Sequence, residues 1–215
     1  MNEFPMSEPG WQQGLTLAAY VDKMERHQAA TRRRLAQIVL RSGDLAAFAA
    51  VSAVRHVLVM TEDWCGDSML TVPILARLVV AAANGAAAAS GAAAASNVDL
   101  RIFPRALSPD LEAYFQARDI THIPVFAFLD TDFHPLATWV ERPRLAHERL
   151  AAWYAAHPAV TAVRNDASLD PETRRERLRP LTAGLLDEME GWYDHEGAQQ
   201  AMVDEIMSLL RPQNL

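Results

Sequence analysis

The chain has 215 residues, half of them apolar, and 27 acidic against 20 basic side chains give it a net charge of −7 and a pI near 5.5. That length suits one core with helical additions, and that charge argues against a nucleic-acid or anionic-membrane surface, since both reward clustered Lys and Arg. A single cysteine allows no internal disulfide, the Met1 region lacks a secretory pattern, and no apolar run approaches the ~18 residues of a membrane span, so a reducing, cytoplasmic setting is the default expectation.

Residues 16–40 place Tyr20, Met24, Leu35 and Ile38 at roughly helical spacing and predict one amphipathic helix, with Arg32-Arg33-Arg34 on its solvated face. Gly43-Asp44 reads as a break and a new N-cap before Leu45 and Phe48. His56-Val57-Leu58-Val59-Met60 is a short apolar run rich in β-branched residues, the pattern of a strand covered on both faces in a parallel or mixed sheet. Thr61-Glu62-Asp63-Trp64-Cys65-Gly66-Asp67-Ser68 follows it, and Met69, Leu70, Pro73, Ile74, Leu78 and Val79 predict a helix from Gly66 to about Ala83. Cys65 then stands at a strand-to-helix turn.

The stretch from Asn84 to Asn97 is low in complexity, and Gly85, Ser90 and Gly91 interrupt its alanines. A helix end running into a mobile loop is expected there, with residues 84–96 a dispensable insertion. Val98–Phe103 alternates with period two, and Ser108-Pro109 supplies an N-cap and a first-turn proline before Leu111, Tyr114 and Phe115. Val125–Leu129 is another dense apolar strand, Asp130-Thr131-Asp132 a turn, and Leu136–Val140 a second strand close enough for a hairpin. Helix follows Pro143, Asp170-Pro171 repeats the cap-plus-proline start, and Met202, Val203, Ile206, Leu209 and Leu210 stripe a final helix.

Strand, Trp-Cys-Gly turn, helix, strand, helix, then a strand entered through Ile-Pro: this order resembles the thioredoxin superfamily. Trp64-Cys65-Gly66 matches its signature, Pro73 falls where its helix is kinked, and Ile123-Pro124 is similar to its cis-proline loop. The interval from Cys65 to Pro124 exceeds thioredoxin's by about the alanine-rich insertion. Glu62-Asp63-Trp64-Cys65-Gly66-Asp67, Gly14-Leu15-Thr16 and Arg142-Pro143 resemble, more narrowly, a bacterial group of thioredoxin-like proteins. The resemblance implies an α/β thioredoxin-like fold, a mixed sheet flanked by helices. It would comprise a core over residues 55–157, an N-terminal helical extension over 1–54 and a C-terminal one over 158–215. Ser68 stands where the resolving cysteine would be, Asp67 beside it, and Val59 where thioredoxin keeps a buried aspartate.

A helix N-terminus favours a thiolate through its free N–H groups, and Ser68 Oγ would add a hydrogen bond. The carboxylates of Glu62, Asp63 and Asp67 would oppose it, leaving the sign of the net effect open. Two readings follow. In the first, Cys65, Ser68 and Asp67 form a monothiol site with an accessible Cys65 that exchanges with a protein or small-molecule disulfide, and glutathione or another small thiol resolves the adduct. Trp64, Gly66, His122, Ile123 and Pro124 would hold the substrate, with His122 either a base for Cys65 or a solvated loop histidine. In the second, the same groove is a non-catalytic peptide- or protein-binding module. No metal is expected, because the histidines form no ligand spacing. Trp139, Trp153 and Trp192 read as core residues.

Overall fold

The computed structural model describes residues 3–90 and 98–211. Among these, residues up to Glu141 together with those from Val203 onward form one compact unit, and Arg142–Met202 forms a second.

The first unit is built on a four-stranded sheet of order β2-β1-β3-β4. β1 (His56–Thr61) runs parallel to β2 (Asp99–Pro104) and antiparallel to β3 (Val125–Leu129), which forms an antiparallel hairpin with β4 (Pro135–Val140). β1 and β3 are the central strands, and every residue of both except His56 is buried. That explains why both read as unbroken apolar runs: neither has a solvent face on which to alternate.

Before the sheet come α1 (Glu8–Trp11), α2 (Leu17–Lys23), α3 (Gln28–Gln37) and α4 (Ser42–Ala49). The helix expected over residues 16–40 is thus two, α2 and α3. Thr16 caps the first by accepting from the Ala19 N–H, and His27, at a φ of 58°, turns the chain before the second. The basic run is not wholly solvated either: Arg32 pairs with Asp22 at 2.6 Å, but Arg34 is buried, 3% exposed. α4 starts at Ser42 rather than after Asp44, which lies in its first turn. The N-terminal segment is stitched to the sheet edge at Leu15, whose N–H and carbonyl both exchange hydrogen bonds with Ile102 at 2.8 Å. Gly14 permits that approach, since a Cβ there would stand 2.5 Å from a ring carbon of Phe103 and 2.8 Å from Cβ of Arg101.

α5 (Gly66–Ser90) connects β1 to β2, packs against α3 and α4, and contains Pro73, whose missing N–H leaves the Met69 carbonyl without its helical partner. It runs past the end expected near Ala83, because an alanine-rich neighbourhood tolerates Asn84 and Gly85 in helix; the rest of the expected loop, residues 91–97, lies outside the described residues. Ser108 precedes α6 (Pro109–Gln116) in the N-cap position but makes no side-chain capping bond. Trp139 at the end of β4 is buried, stacks on Phe126 and donates through Nε1 to Glu205 at 3.0 Å.

The second unit holds α7 (Arg144–Ala156), α8 (Pro158–Asn165), α9 (Pro171–Leu181) and α10 (Leu185–Asp194), and α11 (Ala198–Leu209) starts within it. Asp170 caps α9 as its sequence predicts, accepting from the Glu172 and Thr173 N–H groups at 3.0 Å. Trp153 and Trp192 are buried, and so are Met202, Val203, Ile206 and Leu210 of the α11 stripe. Among the described residues, no helix is long and apolar enough to cross a membrane.

Candidate functional site

β1 delivers Thr61 to the end of the sheet, and the chain turns through Glu62, Asp63 and Trp64 into α5. The Cys65 N–H donates to the Glu62 carbonyl at 3.2 Å, and its own carbonyl accepts from Met69 at 3.1 Å, so Cys65 occupies the cap position of α5. The cysteine therefore sits where the N–H groups of the first helical turn have no backbone partner.

The two carboxylates that open the motif are spent on backbone. Asp63 Oδ2 accepts from the N–H groups of Glu25 and Arg26 at 2.7 and 3.1 Å, tying the turn to the segment between α2 and α3. Glu62 Oε1 accepts from the Ala106 N–H at 2.6 Å, tying it to the segment after β2. These roles depend on residues 37 to 44 positions away and left no local mark in the sequence. Of the three nearby carboxylates, Asp67 is the one whose charge stands among the leading influences on the thiol, and it raises the pKa.

Across from Cys65 lies the loop Thr121–Pro124, with a cis peptide bond between Ile123 and Pro124. Cys65 Sγ is 3.5 Å from the Ile123 carbonyl oxygen, to which the thiol donates. Glu141, at a φ of 64°, donates its N–H to the Pro124 carbonyl at 2.7 Å, holding the loop from its other side. The opening between turn and loop is a cleft of about 310 Å³ that brings together Trp64, Cys65, Gly66, Asp67, His122 and Ile123. Pro124 and Ser68 are buried behind it rather than among its lining residues. Trp64 is 53% exposed. His122 is exposed, with Nδ1 3.3 Å from Thr121 Oγ1.

Three lining residues were not legible in sequence, the first being Thr121 of the loop itself. Arg105, whose guanidinium pairs with Glu112 at 2.5 Å and reaches the Thr121 carbonyl at 3.3 Å, joins the cleft through the fold of the segment after β2. Glu141 enters it from the end of β4.

The thiol itself departs from expectation. Cys65 is 8% exposed, not open to solvent. Burial pushes its pKa above the ordinary thiol value, and the Asp67 carboxylate adds to that; the Ser68 hydroxyl and the N–H groups of Ser68 and Asp67 pull the other way without prevailing. The protonated thiol, donating to Ile123, is the resting form. Ser68 is itself held by Thr61, whose hydroxyl donates to Ser68 Oγ at short range. The first turn of α5 thus supplies three donors for a thiolate once one forms.

A second, larger cavity of about 640 Å³ shares Glu62 and Asp63 with this turn and is lined also by Tyr20, Lys23, Phe103 and Leu111. Among the described residues, no group of three or more His, Cys, Asp or Glu side chains is arranged to hold a metal ion.

The fold is similar to that of a protein of unknown function from Pseudomonas aeruginosa, with a TM-score of 0.53 and 20% identity over 85% of this chain and 98% of that one. An HIV epitope-scaffold is matched as well, at a TM-score of 0.47 and 19% identity over 81% of this chain and 95% of that one. At such identities the likeness concerns fold alone, and no curated protein matches. A family model described as thioredoxin matches residues 14–156, which include the turn at Cys65 and the Ile123-Pro124 loop, and the chain belongs to that family.

Proposed function

We propose that this protein performs monothiol thiol-disulfide exchange through Cys65, as a single-cysteine variant of the thioredoxin family. The observation that carries the reading is the placement of Cys65 Sγ at a helix start, 3.5 Å from the Ile123 carbonyl of the cis-proline loop. A reacting disulfide entering the cleft beside Trp64 meets sulfur, donors and loop in one place.

The thiol gives its proton to solvent water in the cleft, and Sγ turns from the Ile123 carbonyl, an acceptor it can no longer satisfy, to the Ser68 hydroxyl and the N–H groups of Ser68 and Asp67. The thiolate attacks one sulfur of the substrate disulfide. A Cys65–sulfur bond forms, the substrate S–S bond breaks, and the second sulfur leaves with the electron pair as a thiolate. Ser68 Oγ cannot act as the resolving group, because a hydroxyl is not ionised at neutral pH. A thiolate of the glutathione class or of a partner protein attacks the mixed disulfide and returns Cys65.

Exposure to oxidised glutathione, read by intact mass, tests this: one persistent adduct on Cys65 is expected, released by added thiol. Ser68→Cys supplies an internal resolving group and shortens the adduct's lifetime, because an intramolecular thiol has a far higher effective concentration than a free one.

A second reading is favoured by the burial of Cys65 and its raised pKa, which suit a groove that holds an extended peptide without chemistry. It replaces the first if folded protein takes up no glutathione while an unfolded control does.

A further inference from the structure

The cleft at Cys65 adjoins the larger cavity of about 640 Å³ at two places in the chain. Glu62 and Asp63 line the cavity where the next residues, Trp64 and Cys65, line the cleft, and Pro104 lines the cavity where Arg105 lines the cleft. All of these residues belong to the first compact unit. A cavity of that size suits a small molecule. Its wall is apolar at Met24, Phe103 and Leu111, and Leu107, which also lines it, is 79% exposed. Tyr20 of the same wall is buried, with a hydroxyl that has no hydrogen-bond partner.

Charge is distributed unequally around the two openings. Glu62, Asp63 and Asp110 line the cavity with Lys23 as its one cation. Asp67 and Glu141 line the cleft with His122 and Arg105, and Arg105 is already paired with Glu112 at 2.5 Å. The bonds that Glu62 and Asp63 accept come from backbone N–H groups, which satisfy the oxygens without cancelling their charge. Carboxylates in a recess with low-dielectric walls focus their field into it and concentrate cations there. We propose that the cavity is the substrate-selecting half of the Cys65 site and takes the cationic arm of a small aminothiol disulfide. The proposal rests on the reading of Cys65 as the exchanging thiol. The Cys65 thiolate attacks one sulfur of that disulfide, a new S–S bond forms as the old one breaks, and the departing aminothiolate takes the electron pair and then a proton from water. The same field repels disulfides of net negative charge, oxidised glutathione among them.

The test compares three small disulfides on the full chain by intact mass: dicationic cystamine, neutral hydroxyethyl disulfide and dianionic dithiodipropionate. Each rate is divided by that of the same disulfide with free mercaptoethanol, which removes intrinsic reactivity. Cystamine is expected to lead dithiodipropionate by about tenfold at low ionic strength, and the ratio falls toward unity as salt screens the walls. Asp110→Asn lowers the ratio and Lys23→Gln raises it, by about twofold each. Both side chains are exposed, and a purely structural disturbance would move all three rates together. Equal normalised rates, or a ratio indifferent to salt and to both substitutions, overturn the charge selection and leave exchange at Cys65 standing. Adducts from none of the three, while unfolded protein reacts, sink the exchange reading and the selection with it.

Discussion

Asp63 Oδ2 lies 2.7 Å from the amide nitrogen of Glu25, and the same oxygen takes the Arg26 N–H at 3.1 Å. The turn beside the cysteine is therefore anchored by a charge-assisted pair of bonds to chain nearly forty residues upstream. Removing the carboxylate in Asp63→Ala is expected to cost roughly 1–2 kcal/mol in denaturant unfolding, since hydrogen bonds to a charged group are worth more than neutral ones. Asp63→Asn, which keeps an acceptor, recovers part of that. Two variants as stable as wild type would mean the anchor contributes nothing.

The upward pKa of Cys65 has a sign that can be followed through. Because the folded thiol holds its proton more tightly than the unfolded one, alkylation of native protein at neutral pH is expected to be slower than in denatured protein, with a midpoint above the unfolded ~8.5. Stability follows the same linkage: the contribution of Cys65 is complete below the unfolded thiol pKa and is lost as pH rises through the folded one. Cys65→Ala protein, compared with wild type by thermal melting, should show a flatter alkaline decline. A native midpoint below the denatured one would reverse this account.

His56 offers the acid counterpart. Its ring stacks on Phe133 at 4.4 Å and meets Trp11 edge-on at 4.9 Å, its Nδ1 is buried with no hydrogen-bond partner, and burial lowers its pKa despite the Asp99 carboxylate. Here the unfolded chain binds the proton more readily. The contribution of His56 is complete above the unfolded value near 6.5 and is lost as pH falls through the folded one. His56→Phe should remove that part of the acid sensitivity, visible as a smaller fall in melting temperature between neutral pH and pH ~5. An unchanged acid profile in His56→Phe would assign the sensitivity elsewhere.

Gly14 is fixed by space rather than by backbone freedom. A methyl group there would stand 2.5 Å from the Phe103 ring and 2.8 Å from Arg101 Cβ, at the point where Leu15 pairs with Ile102. Gly14→Ala is expected to destabilise by roughly 1–3 kcal/mol through overpacking. Amide exchange at Leu15 and Ile102 checks the location, since those two N–H groups should lose protection first. A variant of wild-type stability would mean the edge pairing yields at little cost.

The strands β1, β3 and β4, the start of α5 and the cap at Asp170 could be read from local pattern, and so could the turn that carries Cys65 and the Ile123-Pro124 loop. The break at His27 could not, because the residues around it keep a helical apolar spacing while Gln28 Nε2 bonds back to the Val21 carbonyl at 2.8 Å, a contact that exists only once α2 and α3 have folded against one another. The run to Ser90 was missed for the opposite reason: glycine weakens a helix by an amount that flanking alanines offset.

The sequence by itself determined the thioredoxin-like order of elements, the single thiol at a helix start and the absence of an internal resolving cysteine, because these depend on periodicity, capping chemistry and residue identity along a few neighbouring positions. Only the tertiary structure decided what that thiol is. Its burial, its bond to the Ile123 carbonyl and the commitment of Glu62 and Asp63 to distant backbone arise between residues far apart in the chain. A pKa is set by the sum of desolvation and nearby partners, and those are known only after the chain has brought α2, β1, α5 and the cis-proline loop to one place.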